Sequence, residues 1–138
     1  MPELPEVETI ARALRLGGRG APALIGRRIQ SAQLLWARTL AEPSPVEFSA
    51  RIAGQPILDI GRRGKFLLFQ LDPDTLLFHL RMSGDLLVEA QATPPTKHDR
   101  LILNLEGELR LAFNDARKFG RAWLAADPQR ILSGLGPE

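Results

Sequence analysis

Apolar positions near the start of the chain follow a helical rhythm. Leu4, Val7, Ile10, Ala11 and Leu14 recur at steps of three and four, which puts them on one face of an α-helix. Pro5 is tolerated in a first turn, where its missing N–H has no intrahelical partner to lose. Glu3, Glu6 and Glu8 fall where the helix dipole favours negative charge, and Gly17, Gly18 and Gly20 end the helix.

Beyond these glycines the rhythm changes to short β-type stretches. Strands are predicted over Arg28–Trp36, Pro56–Arg62, Phe66–Leu71, Thr75–Leu80, Asp85–Glu89, Leu101–Leu105, Glu108–Phe113 and Arg121–Ala125. Asp72-Pro73-Asp74 and Glu106-Gly107 read as turns between neighbouring strands, and Thr93-Pro94-Pro95-Thr96 as a loop. Short helices are predicted at Pro45–Ile52 and Asp127–Leu132. Near-regular short strands point to a mainly β fold, an antiparallel sandwich or barrel, with an N-terminal helix and one or two short ones. Residues 1–132 form the predicted domain. Residues 133–138 carry Gly-Pro and read as the start of a linker.

Length and composition narrow the classes. A chain of 138 residues fits one domain and can bury a core without staples. Hydrophobic residues at 44% exclude an acidic disordered tail. The sequence has no cysteine, so disulfides, thiolate zinc sites and a cysteine nucleophile are excluded. No apolar run reaches the ~18–20 residues of a membrane span, and the acidic N-terminus does not resemble a signal peptide. A cytoplasmic protein is the expectation. The formal charge is only +2, but of the 18 cations only Lys65, Lys97 and Lys118 are lysine. Arginine's planar fork suits bidentate phosphate contact, although codon usage explains an arginine bias equally well.

Several short segments could carry chemistry, and each has a plain structural reading beside it. Removal of Met1 would leave Pro2 as a secondary amine. An α-amino group has a pKa of ~8, so a useful fraction is neutral near pH 7 and can attack a carbonyl carbon to give an iminium. Proline at position 2 is also commonly inert. Glu3 and Glu6 could relay protons beside that amine, or simply decorate a helix start. Arg62-Arg63-Gly64-Lys65 could let backbone approach phosphate, or be a solvated hairpin tip. In His79-Leu80-Arg81-Met82-Ser83-Gly84, Met82 is either a core filler or an apolar wedge for a base stack. His98 lies in the basic stretch 97–100. In Asn114-Asp115-Ala116-Arg117-Lys118-Phe119-Gly120 an aromatic stands among cations, suited to phosphate contact and stacking, or Phe119 is buried in an ordinary loop. With two histidines and no cysteine, no metal site is expected on the chain.

Taken together and in order, these segments resemble the formamidopyrimidine-DNA glycosylases, bacterial enzymes that excise oxidised purines such as 8-oxoguanine. The start Met1-Pro2-Glu3-Leu4-Pro5-Glu6-Val7-Glu8-Thr9 carries most of the resemblance. The segments at 62–66, 79–84, 97–99, 114–120 and 135–138 extend it over the whole chain. The resemblance implies a two-layer antiparallel β-sandwich and a role for each motif. Pro2 would be the nucleophile at the sugar C1′. Glu3 would be the general acid/base, with Glu6 as a further candidate, and Lys65 would contact phosphate and assist elimination. Met82, Arg117 and Phe119 would fill the gap left by a flipped nucleotide. His98, Arg117, His79 and Lys118 would bind DNA. The partner would be damaged double-stranded DNA, and the protein a monomer used at the bacterial nucleoid. No cofactor is expected on this chain, because the family's helix–two-turn–helix and four-cysteine zinc finger would follow Glu138. Three positions depart from the family pattern: Ala116 replaces a proline, Lys118 an arginine and Arg81 a glycine. Two other readings remain open, a non-catalytic nucleic-acid-binding β domain and an unrelated N-terminal-proline enzyme acting on small carbonyl compounds.

Overall fold

The computed structural model describes residues 4–135. Helix α1 spans Leu4–Leu16 and buries the predicted face, Val7, Ile10, Ala11 and Leu14. Nine strands follow among the described residues: β1 Ile29–Leu34, β2 Leu40–Glu42, β3 Asp59–Arg63, β4 Phe66–Gln70, β5 Thr75–His79, β6 Asp85–Ala90, β7 Asp99–Leu105, β8 Leu109–Asn114 and β9 Arg121–Ala125. Helix α2 is Pro45–Ile52 and helix α3 is Gln129–Leu132. Ser44 caps α2, its Oγ accepting the Glu47 N–H at 3.3 Å, and Pro45 follows where no N–H is needed.

The strands form two sheets, ordered β1-β7-β8-β6 and β2-β9-β5-β4-β3. This is the expected two-layer sandwich. One short strand, β2, was not anticipated and pairs parallel to β9, while every other pairing between named strands is antiparallel. The two helices close the open sides. α1 packs against β3 and β6, the edge strands on one side, and α2 packs against β1 and β2 on the other. Between the sheets lie Leu101, Leu103 and Leu105 of β7, Leu111 and Phe113 of β8, and Phe69 and Phe78 of β4 and β5. Phe78 stands edge-on to Phe69 at 5.5 Å and to Phe113 at 5.2 Å, so it joins the two layers.

Register decides what shares an end of the sandwich. Arg63 pairs with Phe66, Phe66 with His79, and His79 with Arg121 across one sheet. Asp85 and Asp99 both pair with Asn114 across the other. Because β6 and β7 both run antiparallel to β8, they run parallel to each other. The connection at 91–98 must therefore return a full strand length before β7 begins. It is held along β8, where the Arg110 guanidinium donates to the Pro94 carbonyl at 3.4 Å and the Asn114 amide to Thr96 Oγ1 at 3.3 Å. Arg110 is itself buried and paired with Glu89 and Asp99. This crossing delivers His98 to the same end as His79 and Asn114.

Truncating the ring that bridges the layers should show its weight. Phe78→Ala should cost about 3–5 kcal/mol by loss of burial plus the cavity left behind, read as a shift in the urea midpoint.

Candidate nucleic-acid interface

Four connections meet at the end defined by His79 and Asn114: the β3–β4 turn with Lys65, the β5–β6 loop with Met82, the 91–98 crossing with His98, and the β8–β9 loop with Arg117, Lys118 and Phe119. Pro2 and Glu3 lie outside the described residues, as do positions 136–138. The next residues of the chain are described, and Glu6, Thr9 and Ile10 of α1 form one wall of an open cleft of about 460 Å³. The opposite wall is Met82, Ser83, Gly84 and Asp85, with Arg19 paired to Asp85 at 2.8 Å. The start of α1 and the Met82 loop thus face one cleft.

Both apolar side chains singled out in the sequence stand in solvent. Met82 is 44% exposed and Phe119 is 52% exposed, which removes their readings as core filler and buried loop residue. Arg117 stacks on Phe119 with its guanidinium carbon 5.5 Å from the ring centre. Lys118 turns elsewhere, its Nζ 4.1 Å from the centre of the Trp36 ring.

A buried carboxylate holds the two loops in relation. Asp115, 1% exposed, accepts the Ser83 hydroxyl and the Arg117 N–H through Oδ1, and the Gly120 N–H at 2.6 Å through Oδ2. The Asp115 carbonyl accepts Arg100 Nε at 2.9 Å. Gly120 must lack a side chain here, since a Cβ would lie 2.5 Å from the Phe113 ring and 2.9 Å from Asp115 Oδ2. Gly84 has the same constraint against the Leu80 carbonyl, at 2.6 Å. Ser83 and Asp115 were not singled out in the sequence. Their only signal is position, a hydroxyl and a carboxylate each in a loop whose glycine is sterically required.

Two of the departures from the family pattern, Arg81 and Lys118, fall at special backbone positions. Arg81 has φ +56° and Lys118 φ +63°, a region where glycine is at ease and other residues cost about 1 kcal/mol or more. This explains why a glycine suits position 81. Arg81 contributes a charge there instead.

His79 stands half-buried beside Phe66, ring centres 5.0 Å apart. Burial, with the Arg81 and Lys65 cations nearby, depresses its pKa from 6.5 to about 4. The ring is neutral at pH 7. Its Nδ1 accepts the Arg81 N–H at 3.1 Å, so the proton sits on Nε2, which is left as a donor. Nδ1 of His98 is buried and has no hydrogen-bond partner among the described residues.

The family model for the formamidopyrimidine-DNA glycosylase N-terminal domain matches residues 1–122. The formamidopyrimidine-DNA glycosylase of Chloroflexus aurantiacus is 53% identical over 126 residues, covering 90% of this chain and 43% of that protein. That of Protochlamydia amoebophila is 42% identical over 139 residues, covering 100% of this chain and 49% of its own. Among solved structures, Lactococcus lactis Fpg (MutM) in complex with FAPY-dG-containing DNA superposes with a TM-score of 0.84 at 33% identity, covering 96% of this chain and 48% of that one. The same enzyme with abasic-site DNA gives the same score. The chain belongs to the formamidopyrimidine-DNA glycosylase family and corresponds to its N-terminal domain. It spans about half the length of the curated relatives it matches. No helix among the described residues is long and apolar enough to cross a membrane.

Two measurements check this geometry. Asp115→Asn places an amide NH2 among three donors and should lower stability by about 2 kcal/mol, with Ser83→Ala costing about 1 kcal/mol, both read by urea unfolding. The His79 shift sets a pH window. Below pH 6.5 the unfolded chain binds a proton that the folded chain refuses, so stability falls as pH drops from about 6.5 to about 4. Arg81→Gly should raise the His79 midpoint in an NMR titration and leave it below 6.5, because burial is the larger cause.

Proposed function

We propose that this chain is the catalytic domain of a base-excision repair DNA glycosylase with AP lyase activity, removing oxidised purines such as 8-oxoguanine and formamidopyrimidines from double-stranded DNA. One observation carries the reading. Exposed Met82 and the Arg117–Phe119 stack stand at one end of the sandwich, beside a cleft that the start of α1 lines. An enzyme acting on a base in duplex must take it out of the stack, at a cost of a few kcal/mol. An apolar wedge, an aromatic ring and a cation are the groups that fill the vacated space and offset that cost. A domain that merely bound nucleic acid would need no such exposed apolar wedge beside this cleft.

The chemistry then runs as follows. With Met1 removed, the Pro2 nitrogen forms a bond to the sugar C1′ while the bond from C1′ to the base breaks, and the departing base takes up a proton. Glu3 moves protons on the sugar and the intermediate, and Glu6 is a second carboxylate on the cleft wall. Opening of the sugar gives a positively charged iminium between Pro2 and C1′, which acidifies the C2′ proton. Loss of that proton expels the 3′ phosphate and cuts the strand, and water then releases Pro2. Lys65, in the turn beside His79, contacts phosphate and assists this elimination. His79 supports it as a neutral donor through Nε2–H, and His98, Arg117 and Lys118 act as further DNA contacts.

The zinc finger implied by the resemblance cannot be built from these residues. The chain has no cysteine, and among the described residues no three His, Asp or Glu side chains cluster. We assign the finger to sequence following Glu138. The protein is read as a monomer working in the bacterial cytoplasm at the nucleoid.

Borohydride should trap this chain covalently on abasic-site duplex, and Pro2→Gly should lower the yield by at least roughly a hundredfold. Equal trapping by both would remove Pro2 from the mechanism. The resemblance implies further DNA contacts in the half of the relatives that this chain does not cover; each charge-assisted one is worth ~1.5–3 kcal/mol, and two or three such losses weaken binding by several powers of ten. On a duplex carrying 8-oxoguanine this chain alone should therefore nick negligibly, while slow nicking at a pre-formed abasic site persists. Efficient excision of the intact lesion at nanomolar protein would contradict this.

A further inference from the structure

The β8–β9 loop has a second side. Away from the Met82 cleft, an open groove of about 640 Å³ runs between this loop and the segment joining β1 to β2, lined by Trp36, Arg38, Arg117, Lys118, Phe119 and Arg121. Register explains the placement. Leu35 and Trp36 donate their N–H groups to the Arg100 carbonyl at the end of β1, and Leu40 of β2 pairs with Ala122, next to Arg121. The segment 35–40, with a 3-10 turn at Ala37–Thr39, thereby crosses the end of the sandwich beside the loop.

Clustering of charge marks this groove. Several cations elsewhere are matched: Arg19 with Asp85, Arg51 with Asp74 and Glu47, Arg62 with Glu8, Arg110 with Glu89 and Asp99, Arg130 with Glu42. Arg38, Arg117, Lys118 and Arg121 have no carboxylate partner among the described residues, and no carboxylate lines the groove. Four like charges around one groove repel one another, and a polyanion relieves that repulsion while releasing its counterions. The Trp36 ring fixes the place of one of them, holding the Lys118 ammonium over its face, so this charge points into the groove and not toward Met82.

We propose that this groove grips the sugar–phosphate backbone of duplex DNA outside the lesion, on the far side of the Phe119 wedge from the Met82 cleft. Arg38 and Arg121 are its phosphate contacts, and Trp36 is the positioning residue for Lys118. The proposal rests on the DNA-binding reading above. It adds a segment of duplex that the cleft side does not reach. Phe119 then stands between two held stretches of DNA, the geometry that lets a wedge keep a kink open.

Fluorescence anisotropy on duplexes with a stable abasic-site analogue tests this, using one duplex extended on both sides and two cut short on one side or the other. The double variant Arg38→Gln/Arg121→Gln should weaken binding to the extended duplex by at least roughly tenfold. It should also flatten log K against log[salt] by about 1.8, about 0.9 for each lost phosphate contact. Both effects should vanish on one of the shortened duplexes and persist on the other. Trp36→Leu and Lys118→Gln should each weaken binding, and the two together no more than either alone. An unchanged slope in the double variant, with Arg117→Gln still flattening it, would overturn Arg38 and Arg121 as phosphate contacts, and with them the proposal, and leave the DNA-binding reading above standing. No change in any of these variants would overturn both. Equal loss on both shortened duplexes would put the contacts at the lesion itself and overturn the proposal.

Discussion

The carboxylate of Asp115 is the contact on which the functional end depends. The loop it belongs to leaves β8 in one sheet and enters β9 in the other. The loop that carries Ser83 makes the reverse passage, from β5 to β6. Asp115 accepts hydrogen bonds from both, so one buried group ties together the two crossings at this end of the sandwich. Burying a carboxylate is costly unless its oxygens are satisfied, and here each has at least one donor. The glycine at 120 makes room for it, and Phe113, which a larger residue there would strike, belongs to the core. Met82 and Phe119 therefore stand at a spacing set by the body of the protein and not by the loops themselves.

That arrangement bears on why two large apolar side chains remain exposed. In a loose loop, Met82 and Phe119 would fold back onto apolar surface and gain burial. Here the backbone on either side of them is fixed. The Arg117 and Gly120 amides are bound to Asp115, Gly84 donates to Leu80, and Arg81 donates to His79. The ordering cost is met during folding, so under the proposed function less remains to be met on binding DNA. The strained backbone at Arg81 and Lys118 belongs to the same design, since sparsely populated conformations persist only where the surroundings over-determine them.

Much of the sandwich is legible in the sequence because its signals are local. The face of α1, the cap of α2 and the alternation of Leu101, Leu103 and Leu105 each follow from a few neighbouring residues. β2 has no such signal. Three residues cannot show alternation, and its partner β9 lies about eighty positions away. The site divides the same way. Lys65, His79, His98, Arg117 and Phe119 are visible as motifs, but their meeting at one end is a property of strand register, which spacing along the chain does not contain. The roles of Ser83 and Asp115 are contacts across loops. Trp36 is a single aromatic at a strand end with nothing in its neighbours to mark it.

Net charge was the least informative number and charge placement the most. A total of +2 describes a nearly neutral molecule. The structure separates that total into cations that brace the fold and cations that do not. Arg110 is buried with two acids and holds the crossing that brings His98 forward, so its charge is spent inside the protein. Arg38, Arg117, Lys118 and Arg121 form a field around the Phe119 loop, and His79 adds a neutral donor, because burial and two nearby cations keep it deprotonated. A histidine that took up a proton here would join a like-charged cluster, and one held neutral can donate to phosphate through Nε2 without adding to the repulsion. Burial first, and then the Arg81 and Lys65 cations, set the protonation state of His79, so this histidine is kept neutral by a different pair of charges from the four that surround the Phe119 loop.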